Sequence, residues 1–523
     1  MMKSAVKRFF RHSVLAGLVL TGSASLAHAQ GTSYEQLQTF SGILNQIRLN
    51  YVDSVTYTQL VRSAIDGVLA SLDPHSYFLP REQGMRSMAY EAGELAGTGL
   101  IVSEVEGLPT IQAVLPESPA AKAGISAGDR LIRVNDTVVV GMTSQSLQGR
   151  LIGERGKRVR LALQRGQRWE PDSLRVTVKF DYLEPHAVTN VRMVNQITGY
   201  LRLQQFYLKA PEEVEDALKK LRSAGATRVI FDLRGNPGGI VRSAVDIASV
   251  FFPKGTTVFS TEGRRKSASQ QFTTENDGRY RDLPLIVLID EGSASASEAL
   301  TGSLQDHDRA LIMGRRSFGK ALMQRAFEVP PAGDLVWLTV GHVLTPSGRF
   351  IQRRYQGLNA TQYYANAGEG GAEQDTTAVF HTDAGRLVRG GGGIVPDIAL
   401  PGRTPLPVWF SVAADSGFTD AIADSLAGTL PADDAGKQRF MGAVASWQTA
   451  LVAPFLDRVR QRLHVAADPD SSLRARLGRI LASRTVEVRW GSDAQEQFQL
   501  SVDADVQAAL PYFARMDELL KHP

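Results

Sequence analysis

The hydrophobic positions of this chain change period several times, and each change marks an element. Leu37 to Leu49 and Leu60 to Leu72 carry apolar residues at helical spacing, separated by Tyr51-Val-Asp53 and closed by Leu72-Asp-Pro-His-Ser-Tyr77. Farther on, Ser118 caps a predicted helix over Pro119 to Ala123, Gly124 ends it, and Gly128-Asp129 leads into an alternating strand, Leu131 to Val134. A strand over Gly199 to Leu203 and a helix from about Glu212 to Ser223 follow, and then an apolar strand from Val229 that ends in Arg234-Gly-Asn-Pro-Gly-Gly239. Val241 to Phe251 has helical spacing again. The β-branched run Leu283 to Ile289 reads as a buried strand, and Glu298 opens another helical stretch. Strands that alternate with helices in this way predict an α/β core. Residues Arg353 to Asp383, rich in Tyr, Ala, Gly and Gln with little periodicity, read as an inserted loop, and beyond Pro401 the pattern is mostly helical, as in Leu473 to Ala482 and Val506 to Leu520.

The first segment changes how the composition is read. Lys3, Lys7, Arg8 and Arg11 precede an apolar stretch, Val14 to Leu20, and Ala27-His-Ala29 gives small residues before Gln30, the pattern of a secretory signal peptide over residues 1–29. The formal net charge of +4 belongs to that segment, which holds four basic and no acidic residues, so the remaining chain is neutral and a nucleic-acid partner loses its support. There is no cysteine, which excludes disulfides, a thiol nucleophile and a lipid-modified cysteine at the cleavage site. No later apolar run approaches the roughly 20 residues of a membrane span, so no transmembrane anchor is expected. The nine histidines are scattered without the spacing of a zinc site, and neither a metal nor another cofactor is expected.

Two stretches carry candidate chemistry. Glu291-Gly-Ser-Ala-Ser-Ala-Ser-Glu298 lies at a predicted strand-to-helix turn, where a serine hydroxyl can be exposed beside helix N-terminal N–H groups that stabilise a developing oxyanion. The same small residues suit helix capping or tight packing, and the residues alone leave that open. Ser317-Phe-Gly-Lys-Ala-Leu-Met-Gln324 offers Lys320 as a base, with no carboxylate in its immediate sequence to hold the ammonium form. Gln324, four positions on, shares a face with Lys320 on a strand or a helix. His307, flanked by Asp306 and Asp308, leaves a Ser-His-Asp arrangement open.

Together these stretches resemble the C-terminal processing peptidases, or tail-specific proteases, which are Ser-Lys serine endopeptidases. In that family the nucleophile is the middle serine of the first motif and the lysine lies 25 residues later in Phe-Gly-Lys, positions that fall here on Ser295 and Lys320. The resemblance implies that Gln324 orients the lysine, and that the N–H groups of Ala296 and of Gly238 or Gly239 form the oxyanion hole. Leu304-Gln-Asp-His-Asp-Arg-Ala310 is also similar to the family, in which an aspartate at the Asp306 position supports the site in some members. Asp290 departs from the asparagine of many relatives. Thr345 to Ile351 and Gly390 to Asp397 match family segments near the active site.

Gly97-Thr98-Gly99-Leu100-Ile101-Val102, with Ser118 to Asn135, resembles a PDZ domain. There the glycine loop takes a peptide's free carboxylate and the peptide adds as a strand beside Leu100 to Val102. The chain is thus expected to be an α/β (α+β) multidomain protein: signal peptide 1–29, helical region 30–93, PDZ domain 94–180, catalytic core 181–402 of the crotonase and tail-specific-protease type, and helical extension 403–523. The implied partners are protein substrates with free C-terminal tails, and a second copy of the chain through the helical lead-in. The implied location is the periplasm, with release outside the cell left open. The competing expectation is an adaptor that captures tails on a degenerate hydrolase fold.

Overall fold

The computed structural model describes residues 33–521 apart from gaps at 92–95, 106–107, 116–117, 127, 141, 143–146, 148, 166–171, 184–185, 359, 366–377, 403–405 and 444–445. The export segment expected at 1–29 lies outside the described residues. Two compact bodies divide at Phe78/Leu79. The first holds a helix over residues 33–50 and another over Tyr57–Ala70. Thr56 caps the second: its hydroxyl accepts from Gln59 N at 3.2 Å, and Gln59 Oε1 accepts from Thr56 N at 2.9 Å, a reciprocal box that satisfies two orphan donors.

The second body opens with a helix, Arg81–Glu91, and then a β-domain in which Leu100–Val105, Leu108–Val114, Arg130–Val134, Arg158–Arg165 and Asp172–Lys179 pair in that order. Alternate residues Leu131, Leu161 and Leu163 turn inward with Ile111, Val159 and Val178 to form its apolar core. Ser118 Oγ accepts from Ala121 N at 3.2 Å and starts the short helix Pro119–Lys122, as the small cap residue predicts.

The core is a six-stranded sheet. Strands β1 (Thr198–Leu203), β2 (Arg228–Asp232), β3 (Leu285–Ile289) and β4 (Leu311–Gly314) run parallel, with Val188–Met193 antiparallel on one edge and Ile398–Ala399 parallel on the other. The middles of the strands are apolar because both faces are covered, with Arg202 and Asp232 at the carboxyl ends of β1 and β2. Val229, Phe231, Val287 and Ile289 point to helices α1 (Ala210–Ser223), α2 (Val241–Phe251) and α3 (Ala296–Asp306). Ile230, Ile286 and Leu288 point the other way, to Leu500, Val506, Ala509 and Met516. A second sheet contains the hairpin β5 (Leu322–Val329) and β6 (Asp334–Leu344). The C-terminal helices, among them α4 (Ser471–Trp490), enclose their own core of Trp447, Phe455, Leu481 and Phe498.

Two expectations differ from the structure. The helix read over Val506 to Leu520 is broken into Ala504–Ala509, a 3₁₀ turn Leu510–Arg515 and Met516–Lys521, because Pro511 lacks the N–H an α-helix needs there. The stretch read as an unstructured insertion contains a helix, Ala360–Ala365, and a strand, Val379–His381.

Candidate active site

Ser295 stands between β3 and α3, where the chain must leave the sheet and start a helix within a few small residues. Its backbone adopts φ 57° and ψ −112°, a sparsely populated conformation that costs about 1–3 kcal/mol and persists only where the surroundings over-determine it. They do so here. Ser293 Oγ donates to Leu233 O at 2.8 Å and Ser297 Oγ to Asn236 O at 2.9 Å, while Ala294 N reaches Asn236 O at 3.0 Å. Ser293 and Ser297 are fully buried, and Ser295 is half-exposed. Of the three serines, two are therefore spent on stitching this turn to the glycine turn after β2, and only Ser295 is placed to meet a ligand.

The glycine turn lies directly against it. A Cβ on Gly238 would fall 2.7 Å from Ala294 O and 2.9 Å from both Ala296 N and Ser295 Cβ, so only glycine permits the approach at its φ of 99°. The Gly238 N–H is already donated to Asn236 Oδ1 at 2.9 Å. Phe206 grips the next residue by accepting from Ile240 N at 2.8 Å and donating to Gly238 O at 2.9 Å. The N–H groups of Gly239 and Ala296 have no acceptor among the described residues. Of the two glycines left open by the sequence, Gly239 is the one with a free donor. Asp290 joins the two turns, since its Oδ1 accepts from Gly235 N at 2.7 Å and Gly292 N at 3.0 Å. An asparagine oxygen could accept the same bonds, so an aspartate where the resemblance leads one to expect asparagine leaves this tie intact.

Glu298 brings the two motifs together. One carboxylate oxygen accepts from both Ser295 N and Lys320 N at 2.8 Å, and the other from Ser317 Oγ at 2.5 Å and Gly319 N at 2.6 Å. Burial raises its pKa to about 7 against the pull of these donors. The sequence reading gave Glu298 no role, although Ser295 followed three residues later by a glutamate is the pattern of a capping box. It also found no carboxylate near Lys320 in the local sequence; through the fold, Glu298, 22 positions upstream, reaches the main-chain N–H of Lys320.

Lys320 is half-buried in a turn packed on both sides. Ile394 N donates to Ser317 Oγ at 2.6 Å, Phe318 N to Ser293 O at 2.9 Å, and Ala321 N to Gln352 Oε1 at 2.7 Å. The Gly390 to Asp397 segment thus buttresses the lysine turn. Gln352 Nε2 in turn donates to the Tyr363 hydroxyl at 3.1 Å, and Tyr363, fully buried, packs edge-on against Phe318. The insertion therefore supports the lysine, which its aperiodic sequence did not suggest. Gln324 lies on β5 and donates to Thr339 Oγ1 at 3.2 Å. Lys320 precedes the strand and a bulge falls between Met323 and Gln324, so simple alternation does not relate the two side chains.

His307 is removed from this site. It is the C-cap of the helix that Ser295 begins, roughly 18 Å away at 1.5 Å per residue, and its ring nitrogens reach Asp383 Oδ2 and Thr257 O, each at 2.7 Å. Asp306 is at the same far end, buried against Arg349 and accepting from Ser347 N at 2.9 Å and Ser347 Oγ at 2.7 Å. It anchors the Thr345 to Ile351 segment to α3.

In the β-domain, Gly97, Thr98, Gly99 and Leu100 are buried and Ile101 is exposed. Thr98 N donates to Leu151 O and Thr98 O accepts from Ala120 N, both at 2.9 Å, and Gly99 has φ 82°. Leu100–Val105 pairs only with Leu108–Val114, so among the described residues its outer edge is open to an added strand.

An α/β core with this turn is thus joined to a β-domain with an open strand edge. The model of peptidase family S41 matches residues 197–362, and that of the PDZ domain matches residues 110–165. The chain is 34% identical over 341 residues to a carboxy-terminal-processing protease of Bartonella bacilliformis, covering 64% of this chain and 77% of the relative. It is 30% identical over 362 residues to a carboxy-terminal processing protease of Bacillus subtilis, covering 68% and 76%. Among solved structures, the photosystem II D1 C-terminal processing protease aligns at 24% identity and a TM-score of 0.37, over 68% of this chain and 86% of that one. The chain belongs to the carboxy-terminal-processing proteases of peptidase family S41.

Proposed function

We propose that the protein is an exported serine endopeptidase that binds protein C-terminal tails and hydrolyses peptide bonds with a Ser295–Lys320 dyad. The observation that carries this reading is the Glu298 carboxylate, on which the Ser295 and Lys320 amides converge. Neutral Lys320 takes the Ser295 proton as Oγ attacks the carbonyl, and the resulting ammonium returns it to the leaving amine. The N–H groups of Gly239 and Ala296 receive the oxyanion, at the positive end of α3. Gln324, with its amide on Thr339, steadies the lysine side of the site. The tail adds beside Leu100 to Val102 with its carboxylate at Gly97 to Gly99, and residues 1–29 direct export to the periplasm.

Hydrolysis of an unfolded reporter protein with an apolar C-terminus tests this. Wild type is expected to cleave the free-carboxylate form, to cleave the C-terminally amidated form at least tenfold more slowly, and to lose both activities in Ser295→Ala. Equal cleavage by wild type and Ser295→Ala would sink the peptidase reading and leave a tail-binding adaptor.

A further inference from the structure

A second cavity lies at the carboxyl ends of β1, β2 and β3, the place where open α/β sheets commonly take ligands. Its volume is about 910 Å³, larger than a single inorganic ion needs and within the range of small-molecule sites. One wall comes from the core, with Arg202, Arg234, Gly235 and Asp290. The other comes from the helical extension, where Arg476 and Arg479 of α4 share a face with Ile480 and Ser483.

The charges of this cavity are not all matched. Arg234 is held by Asp232, Asp503 and Asp505 at 2.6–2.8 Å, Asp505 is shared with Arg315 at 2.6 Å, and Arg484 is held by Asp420 and Glu487 at 2.7 and 2.6 Å. Asp290 spends Oδ1 on two backbone amides. Arg202 makes no direct hydrogen bond or ion pair with a carboxylate among the described residues, although its charge is felt at Asp232: its Nη2 donates to Arg234 O at 3.1 Å, and its Nε is buried with no hydrogen-bond partner. Arg479, half-buried, makes no hydrogen bond or ion pair with a described residue. A buried guanidinium N–H without an acceptor is costly, and two guanidiniums facing one cavity from opposite walls match the geometry of carboxylate or phosphate groups.

We propose that this cavity binds a small polyanion carrying two or more carboxylate or phosphate groups, with Arg202 and Arg479 as its principal contacts, and that the bound anion sets the catalytic turns. The link is short. Arg202 holds the carbonyl of Arg234, and Gly235 N is tied through Asp290 to Gly292, three residues before Ser295. An anion that fixes Arg202 fixes this tie and raises kcat rather than lowering KM.

Isothermal titration of the full chain with citrate and with pyrophosphate, at 150 mM salt, separates the two chemical sources. Saturable binding of one or both is expected, weakened at least tenfold in Arg479→Gln and in Arg202→Gln and unchanged in Arg462→Gln, an exposed control outside the cavity. Arg479→Gln removes no hydrogen bond or ion pair with a described residue and keeps most of the stem's packing, so its unfolding temperature without ligand should lie close to wild type. Absence of saturable binding, or equal weakening by Arg462→Gln, would overturn the site. The kcat arm rests on the peptidase reading: binding without an increase in kcat on a peptide substrate overturns the coupling and leaves the site standing.

Discussion

At the scale of residues, the site depends on close approach and on one buried carboxylate. Gly238→Ala places a methyl group where Ala294 O, Ala296 N and Ser295 Cβ already stand. It should cost about 1–3 kcal/mol of stability and reduce kcat/KM by at least ~10²-fold, since it displaces one side of the oxyanion hole; denaturant titration and peptide hydrolysis measure the two effects. Glu298 gives a pH signature. Its folded pKa, about 7, exceeds the unfolded value of 4.5, so the folded state holds the proton more tightly. The resulting stability is fully present below about pH 4.5, falls as pH rises to about 7 by on the order of 3 kcal/mol, and is constant above. Urea titrations across this range should show that slope in wild type and not in Glu298→Gln; an unchanged slope in the variant would assign it to other groups. Ser295 and Lys320 were singled out by spacing and family resemblance, but a physical ground for preferring Ser295 over Ser293 and Ser297 was not legible. It lies in hydroxyl bonds to carbonyls some 60 residues upstream, which no local pattern encodes.

At the scale of elements, β1 to β3 and α1 to α3 could be read from apolar period, because each buries one face or both on a continuous core, whereas the four-residue β4 is too short to show one. The supports of the lysine turn could not. They come from short segments whose order in the chain is unrelated to their order in space: Gly390 to Asp397 through Ser317, and the insertion helix through Tyr363. Tyr363→Ala should cost about 3–5 kcal/mol as a buried aromatic lost from the core and lower kcat through the Gln352 bond to Ala321 N. Tyr363→Phe keeps the ring packing against Phe318 but loses the hydroxyl that accepts from Gln352, so it should show the loss of kcat with little of the loss of stability. Thermal unfolding and single-turnover hydrolysis of the pair separate packing from the hydroxyl contact; a Tyr363→Ala protein with wild-type kcat would remove the insertion from the site's support.

At the scale of the whole molecule, the helical extension is part of the core's structure. Its residues cover Ile230, Ile286 and Leu288 on the outer face of the sheet, and Asp503 and Asp505 partner the buried Arg234. Removing residues 403–523 should therefore leave an insoluble or unfolded chain, read by size exclusion and circular dichroism; a soluble, folded truncation would mean that the sheet needs no such cover. The extension's helices were visible in the sequence, but this role was not, since burial on both faces of a strand does not reveal which segment supplies the second cover. That the whole chain works as a Ser-Lys peptidase is tested most directly by the hydrolysis rates of full-length Lys320→Ala and His307→Ala beside wild type. The geometry predicts a loss of at least ~10³-fold in kcat for Lys320→Ala and a rate within about threefold of wild type for His307→Ala, whose ring is at the far end of α3. Retained activity in Lys320→Ala, or its loss in His307→Ala with the fold intact, would contradict the dyad.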